Sequence, residues 1–144
     1  MRILIIRHGD PNYEIDGLTE KGQKEAELLA LHLEKEKIDA IYSSPLGRAR
    51  MTALPTAKIK ELEINCCDWL REFEYVKVAL PYREKPKSPW DFLPEFLNEH
   101  PEIYDRNGWR EVDFIKKSNY EKEHDNVISE FDKLLERHGY KRNG

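Results

Sequence analysis

The apolar run Ile3-Leu4-Ile5-Ile6 stops abruptly at Arg7-His8-Gly9, and this junction constrains the fold more than any other feature. The run predicts a buried strand over residues 2–7 that ends in a loop carrying a guanidinium, an imidazole and a glycine. In an open α/β sheet, ligands bind beyond the carboxyl ends of the strands. A histidine at such an end is well placed for chemistry. An adjacent arginine suits phosphate, because its planar fork grips two oxygens at once. Taken alone, the tripeptide could equally be an ordinary strand end.

The residues that follow continue the alternation. Gly9, Asp10, Pro11, Asn12 and Gly17 mark residues 8–18 as a loop. Thr19 reads as the cap of a helix reaching about Lys37, with Ala26, Leu29, Ala30 and Leu33 at helical spacing. A second short strand covers residues 39–43. Ser44-Pro45 then looks like a helix start, with Ser as cap and Pro in the first turn. That helix carries Arg48, Arg50 and Thr52, and Pro55 is expected to end or kink it. A third strand is predicted over residues 62–69. Strands separated by helices imply parallel pairing in a layered α/β sheet.

Between about 76 and 117 this pattern breaks down. Pro81, Pro86, Pro89, Pro94 and Pro101 are mixed with Trp90, Phe92, Phe96 and Trp109. The stretch reads as an irregular insertion with short helical pieces, inside one domain of 144 residues. Its aromatic residues could form a contact surface or pack a small core of their own. A helix resumes near Asn119, with Val127, Ile128, Phe131, Leu134 and Leu135 on one face and Gly139 as its C-terminal cap.

Composition narrows the function classes. The 24 basic and 28 acidic residues give a net charge of −4, without the basic excess of a general nucleic-acid binder. No apolar stretch reaches membrane-spanning length, and the start of the chain does not read as a signal peptide, so a cytoplasmic, membrane-free protein is expected. Cys66 and Cys67 are adjacent and too few for a zinc site, so they read as half-buried thiols in a reducing compartment. No His, Cys and acid cluster has metal-ligand spacing, and neither a metal nor another cofactor is expected.

Three motifs occur in order: Arg7-His8-Gly9, then Leu18-Thr19-Glu20-Lys21-Gly22, then residues 43–53, Ser-Ser-Pro-Leu-Gly-Arg-Ala-Arg-Met-Thr-Ala. Together they resemble the histidine phosphatase superfamily, the phosphoglycerate-mutase-like clan, over residues 1 to about 74. Leu70-Arg71-Glu72 resembles its next landmark. The resemblance implies a three-layer open sheet, mostly parallel. It implies a metal-independent phosphomonoester hydrolase acting on a small phosphorylated substrate through a phosphohistidine. His8 would take the phosphoryl group, Arg7 and Arg48 would bind its oxygens, and Glu72 would protonate the leaving oxygen. Glu74 is an alternative acid. Asn12 either donates to phosphate from the loop or serves an ordinary turn.

The chain also departs from the family pattern. Family members carry a second catalytic histidine, in a His-Gly pair after a late apolar strand. Here His138-Gly139 follows Leu134-Leu135-Glu136-Arg137, which continues a helix. The chain therefore resembles a member truncated at its C-terminus. On that reading, residues 3–6 are left with an unpaired sheet edge open to self-association. Two alternatives to the enzyme follow: an inactive phosphate-binding or partner-binding remnant, and an interaction protein using the aromatic insertion. A mutase fits less well, because the loop after Gly9 is short and lacks the Trp-Asn pair of phosphoglycerate mutases.

Overall fold

The computed structural model describes residues 1–88 and 91–143, and for Glu74 the backbone alone. Pro89 and Trp90 of the aromatic stretch lie outside the described residues. The chain is mixed α/β and divides into two compact units, Met1–Arg71 and Glu72–Gly144.

The first unit begins with residues that form no strand. Ile3, Leu4 and Ile6 are about half exposed, Ile5 is 93% exposed, and no strand among the described residues pairs with them. The expected first strand is corrected on this point. An apolar run supplies β-propensity, but a strand exists only where a neighbour satisfies its backbone groups. After the His8 turn, β1 (Pro11–Asn12) and β2 (Gly17–Leu18) form a small antiparallel hairpin. Thr19 then caps α1 (Glu20–Leu33), its hydroxyl accepting the Gly22 N–H at 3.1 Å, as the sequence predicts. The helix stops four residues short of Lys37, where the Lys60 ammonium donates to the Glu34 and Glu36 carbonyls.

β3 (Ile41–Ser43) and β4 (Ile64–Cys66) pair in parallel, Ile41 opposite Ile64 and Ser43 opposite Cys66. Between them runs α2 (Gly47–Lys60). This β-α-β unit is the part of the expected parallel sheet that forms. Two two-stranded sheets stand among the described residues where the sequence predicts one open sheet. Helix α2 starts at Gly47 after Leu46, two residues later than Ser44-Pro45 suggests. Pro55 does not end it. The ring removes a single N–H, and packing against α1 carries the helix on to Lys60. The two helices pack together, and the buried residues are Gly22, Ala26, Ala30 and Leu33 on α1 and, among others, Thr52, Thr56 and Ala57 on α2. Small side chains in rows four residues apart let two helices approach closely.

The second unit is built from short pieces: α3 (Pro94–Asn98), α4 (Asp113–Lys116), and 3₁₀ turns at Phe73–Tyr75, Pro101–Tyr104 and Gly108–Glu111. They surround Val78, Leu80 and Phe96, with Tyr82, Phe92 and Phe114 packed against them. The aromatic insertion thus packs its own small core, one of the two outcomes the sequence left open. The last element, α5 (Tyr120–Arg137), carries His138 at its C-cap, and Gly139 follows at φ +80°, as expected for a helix cap. No described helix is long and apolar enough to cross a membrane.

Candidate active site

The loop that carries His8 crosses the first turns of both long helices of the first unit. Two glycines make the crossing possible. A Cβ on Gly22 would stand 2.2 Å from the Asp10 carbonyl oxygen, and a Cβ on Gly47 would stand 2.0 Å from that of Asp16. Both glycines belong to the motifs read in the sequence, and their role is to let loop backbone lie against helix backbone.

Side chains then pin the loop. The Thr19 hydroxyl donates to the Asp10 carboxylate at 2.7 Å, and the Asp10 N–H donates to Glu25 Oε2 at 2.8 Å. The Gly9 N–H donates to Thr52 Oγ1 at 3.0 Å, and that hydroxyl donates to the Arg48 carbonyl at 2.8 Å. The His8 turn is therefore tied, through one threonine, to the helical turn that presents Arg48.

His8 itself is part-buried. Its Nδ1 lies 2.8 Å from the Gly9 carbonyl oxygen, which can only accept. In the neutral ring the proton therefore sits on Nδ1, and Nε2 keeps the lone pair. Nε2 is shielded from solvent and has no hydrogen-bond partner among the described residues.

Arg48 is buried, with its side chain 6% exposed, and its Nη1 donates to Asp16 Oδ1 at 2.7 Å. The Tyr13 ring covers the guanidinium, with Cζ 5.3 Å from the ring centroid. Asp16 Oδ2 accepts the Gly47 N–H at 2.6 Å, closing the start of α2 that Leu46 leaves without a side-chain cap. That bond above all holds the Asp16 carboxyl below its ordinary value; burial opposes it, and the Arg48 contacts each add a smaller lowering.

The other residues picked from the sequence fare differently. Arg7 is exposed. Asn12 Oδ1 accepts the Glu14 N–H at 3.1 Å, which is the turn role. Glu72 stands just before the 3₁₀ turn Phe73–Tyr75 at the start of the second unit, and its side chain does not cap that turn; the Glu74 side chain lies outside the described residues. His138 is an exposed helix-end residue. Sequence reasoning placed Thr52 on the helix of Arg48 without a role, and missed Asp16 and Tyr13. The only trace of Asp16 was its place before Gly17 in a turn-forming pair.

A loop histidine with a free ring nitrogen, beside a helix start bearing a buried arginine, is an arrangement for handling an oxyanion. The profile of the histidine phosphatase superfamily (branch 1) matches residues 3–120. The chain belongs to the histidine phosphatase superfamily. Among curated members it is 36% identical to phosphoserine phosphatase 1 of Hydrogenobacter thermophilus over 84 residues, 52% of this chain and 40% of that protein. It is 27% identical to 2-carboxy-D-arabinitol-1-phosphatase of Triticum aestivum over 127 residues, 73% of this chain and 26% of that one. It is 36% identical to the probable phosphoglycerate mutase GpmB of Photorhabdus laumondii over 81 residues, 50% of this chain and 38% of that protein. The matched segments thus span less than half the length of these relatives.

Proposed function

We propose that this histidine phosphatase family member hydrolyses small phosphomonoesters through a phosphohistidine at His8, without a metal ion. The observation that carries the reading is the His8 ring, whose Nδ1 faces the Gly9 carbonyl so that Nε2 holds the lone pair. The Nε2 lone pair attacks phosphorus, and the bond from phosphorus to the ester oxygen breaks. The leaving alkoxide takes a proton from a carboxylic acid, the role proposed for Glu72 with Glu74 as the alternative. Water then attacks phosphorus and gives its proton to that carboxylate. The bond from phosphorus to Nε2 breaks, and inorganic phosphate and the free imidazole result. Charge on the three phosphoryl oxygens is offset by Arg48 and Arg7, with Asn12 as a further donor, which is the positioning and compensation that phosphoryl transfer needs. The names of the phosphatase relatives support a small phosphate ester as substrate. The working fold in this proposal is the three-layer open sheet that the resemblance implies.

A second reading is a phosphate-binding protein without turnover. It is favoured by the exposed state of residues 3–6, directly before the site, with which no strand among the described residues pairs, and by the placement of His138 at a helix end.

One experiment separates them. The protein is incubated with a chromogenic phosphate ester and quenched in alkali, where phosphohistidine survives. The enzyme reading expects label on His8, turnover unaffected by a chelator, and a loss of roughly 10³-fold or more in His8→Ala. Label on another residue, or full turnover by His8→Ala, overturns it. Vanadate binding with no turnover and no label selects the second reading.

A further inference from the structure

We propose that Asp16 is a positioning residue that holds the Arg48 guanidinium for the phosphoryl group, an inference that rests on the anion-binding role given to Arg48 above. Asp16 sits in the β1–β2 hairpin, in the loop of His8, yet both its carboxylate oxygens are spent on α2. Oδ2 takes the Gly47 N–H at 2.6 Å and Oδ1 takes Arg48 Nη1 at 2.7 Å. Its backbone is left-handed, at φ +44°, a conformation that aspartate and asparagine tolerate better than most residues. Its carbonyl lies against Gly47 where no side chain would fit. The residue thus joins the catalytic loop to the helix at the point where the arginine emerges. Gly9 makes the other junction, through Thr52.

The consequence concerns orientation. A guanidinium is a rigid plane. Asp16 fixes one of its edges and the Tyr13 ring lies across its face. Together these contacts order a long side chain before any anion arrives, so less ordering remains to oppose binding. Aspartate meets the geometric demand because it is short and offers two charged acceptors. Asparagine offers one acceptor and turns an N–H₂ toward one of the two donors.

The test uses vanadate as the probe and measures its dissociation constant by calorimetry on the full chain. Asp16→Asn keeps the left-handed backbone and an oxygen for the Gly47 N–H, but loses the charge facing Arg48. The expected result is about tenfold weaker vanadate binding, the scale of one charge-assisted hydrogen bond. In an Arg48→Ala background the same substitution should change affinity by less than about twofold, because two residues that act as one unit do not add. Should Asp16→Asn fail to fold, Asp16→Ser serves instead, since its hydroxyl can still cap Gly47 and cannot pair with Arg48.

A purely structural Asp16 would lower the urea midpoint and leave vanadate affinity unchanged, and that outcome overturns the inference. Equal weakening in both backgrounds also overturns it, by showing that Asp16 does not act through Arg48. If Arg48→Ala itself leaves vanadate binding unchanged, the anion-binding reading of Arg48 fails and the inference fails with it. That case is recognised by the flat Arg48 arm.

Discussion

Met1–Arg71 closes its two long helices on glycine, alanine and threonine, whereas Glu72–Gly144 closes its short pieces on rings. In the first unit the contacts that matter to the site are backbone against backbone, at Gly22 and Gly47, with side-chain oxygens pinning the loop. In the second, Phe96 lies 5.0 Å from Tyr82, 5.0 Å from Phe114 and 4.7 Å from His100, centroid to centroid. The first arrangement fixes positions closely and tolerates no added atoms. The second gains its stability from area and edge-to-face geometry. The site proposed above stands in the first kind of packing.

The largest expected effect breaks the ring-built unit. Phe96 is buried and central to the aromatic cluster. Phe96→Ala should destabilise the second unit by about 3–5 kcal/mol, the usual cost of removing a buried ring. The measurement is the urea midpoint followed by near-ultraviolet circular dichroism, which reports packed aromatic side chains. A cost below about 1 kcal/mol, the scale of an ordinary exposed substitution, would mean that the rings do not hold this unit together.

Next comes the backbone-built unit, where the sign is more telling than the size. Exposed glycines inside helices normally gain about 1 kcal/mol on replacement by alanine. At Gly47 and Gly22 the added methyl would meet a loop carbonyl at 2.0 Å and 2.2 Å. Each alanine variant should therefore lose stability, by about 2–3 kcal/mol from forced displacement. Stabilisation in either variant would show that the loop does not rest on the helix starts, and the contrast between the two units would disappear.

Much of this was legible locally. Thr19 announced a cap, Ala26 and Ala30 a contact face, and Gly139 a helix end, because each depends on residues a few positions away. Arg7-His8-Gly9 and Arg48 were singled out by their motifs, and they fall on the loop and the helical turn that Thr52 and Asp16 tie together. What could not be read depends on distant partners. Residues 3–6 have the composition of a strand, but pairing requires a neighbour elsewhere in the chain. Pro55 looked like a helix terminus, and packing of α2 against α1 overrode it. Asp16 carried no signal of its own, because its two acceptors are matched only when β1–β2 meets α2. The aromatic insertion showed its composition and not its arrangement, since which ring packs on which depends on the path of an irregular chain.

The smallest expected effect sharpens the comparison through electrostatics in the second unit. Arg110 donates from Nη2 to Asp125 Oδ1 and from Nη1 to Glu121 Oε1, both at 2.6 Å, and lies over the Trp109 ring at 4.5 Å. Bonding from Arg110, and then from His124, lowers the Asp125 carboxyl from 3.8 to about 2. A depressed carboxyl favours the folded state while it is ionised there. Its contribution is fully present above the unfolded value of 3.8 and is lost as pH falls through about 2. Asp125 is half exposed, so salt should weaken the effect further. The check compares urea midpoints of the wild type and Asp125→Asn as the solution is acidified. The wild type should be the more stable at neutral pH, and the gap should narrow only below the ordinary carboxylate range. A gap that already closes above that range, or one that widens in acid, would show that Arg110 does not hold Asp125 in its ionised form. The ring-built unit would then rest on its apolar cluster without this electrostatic brace.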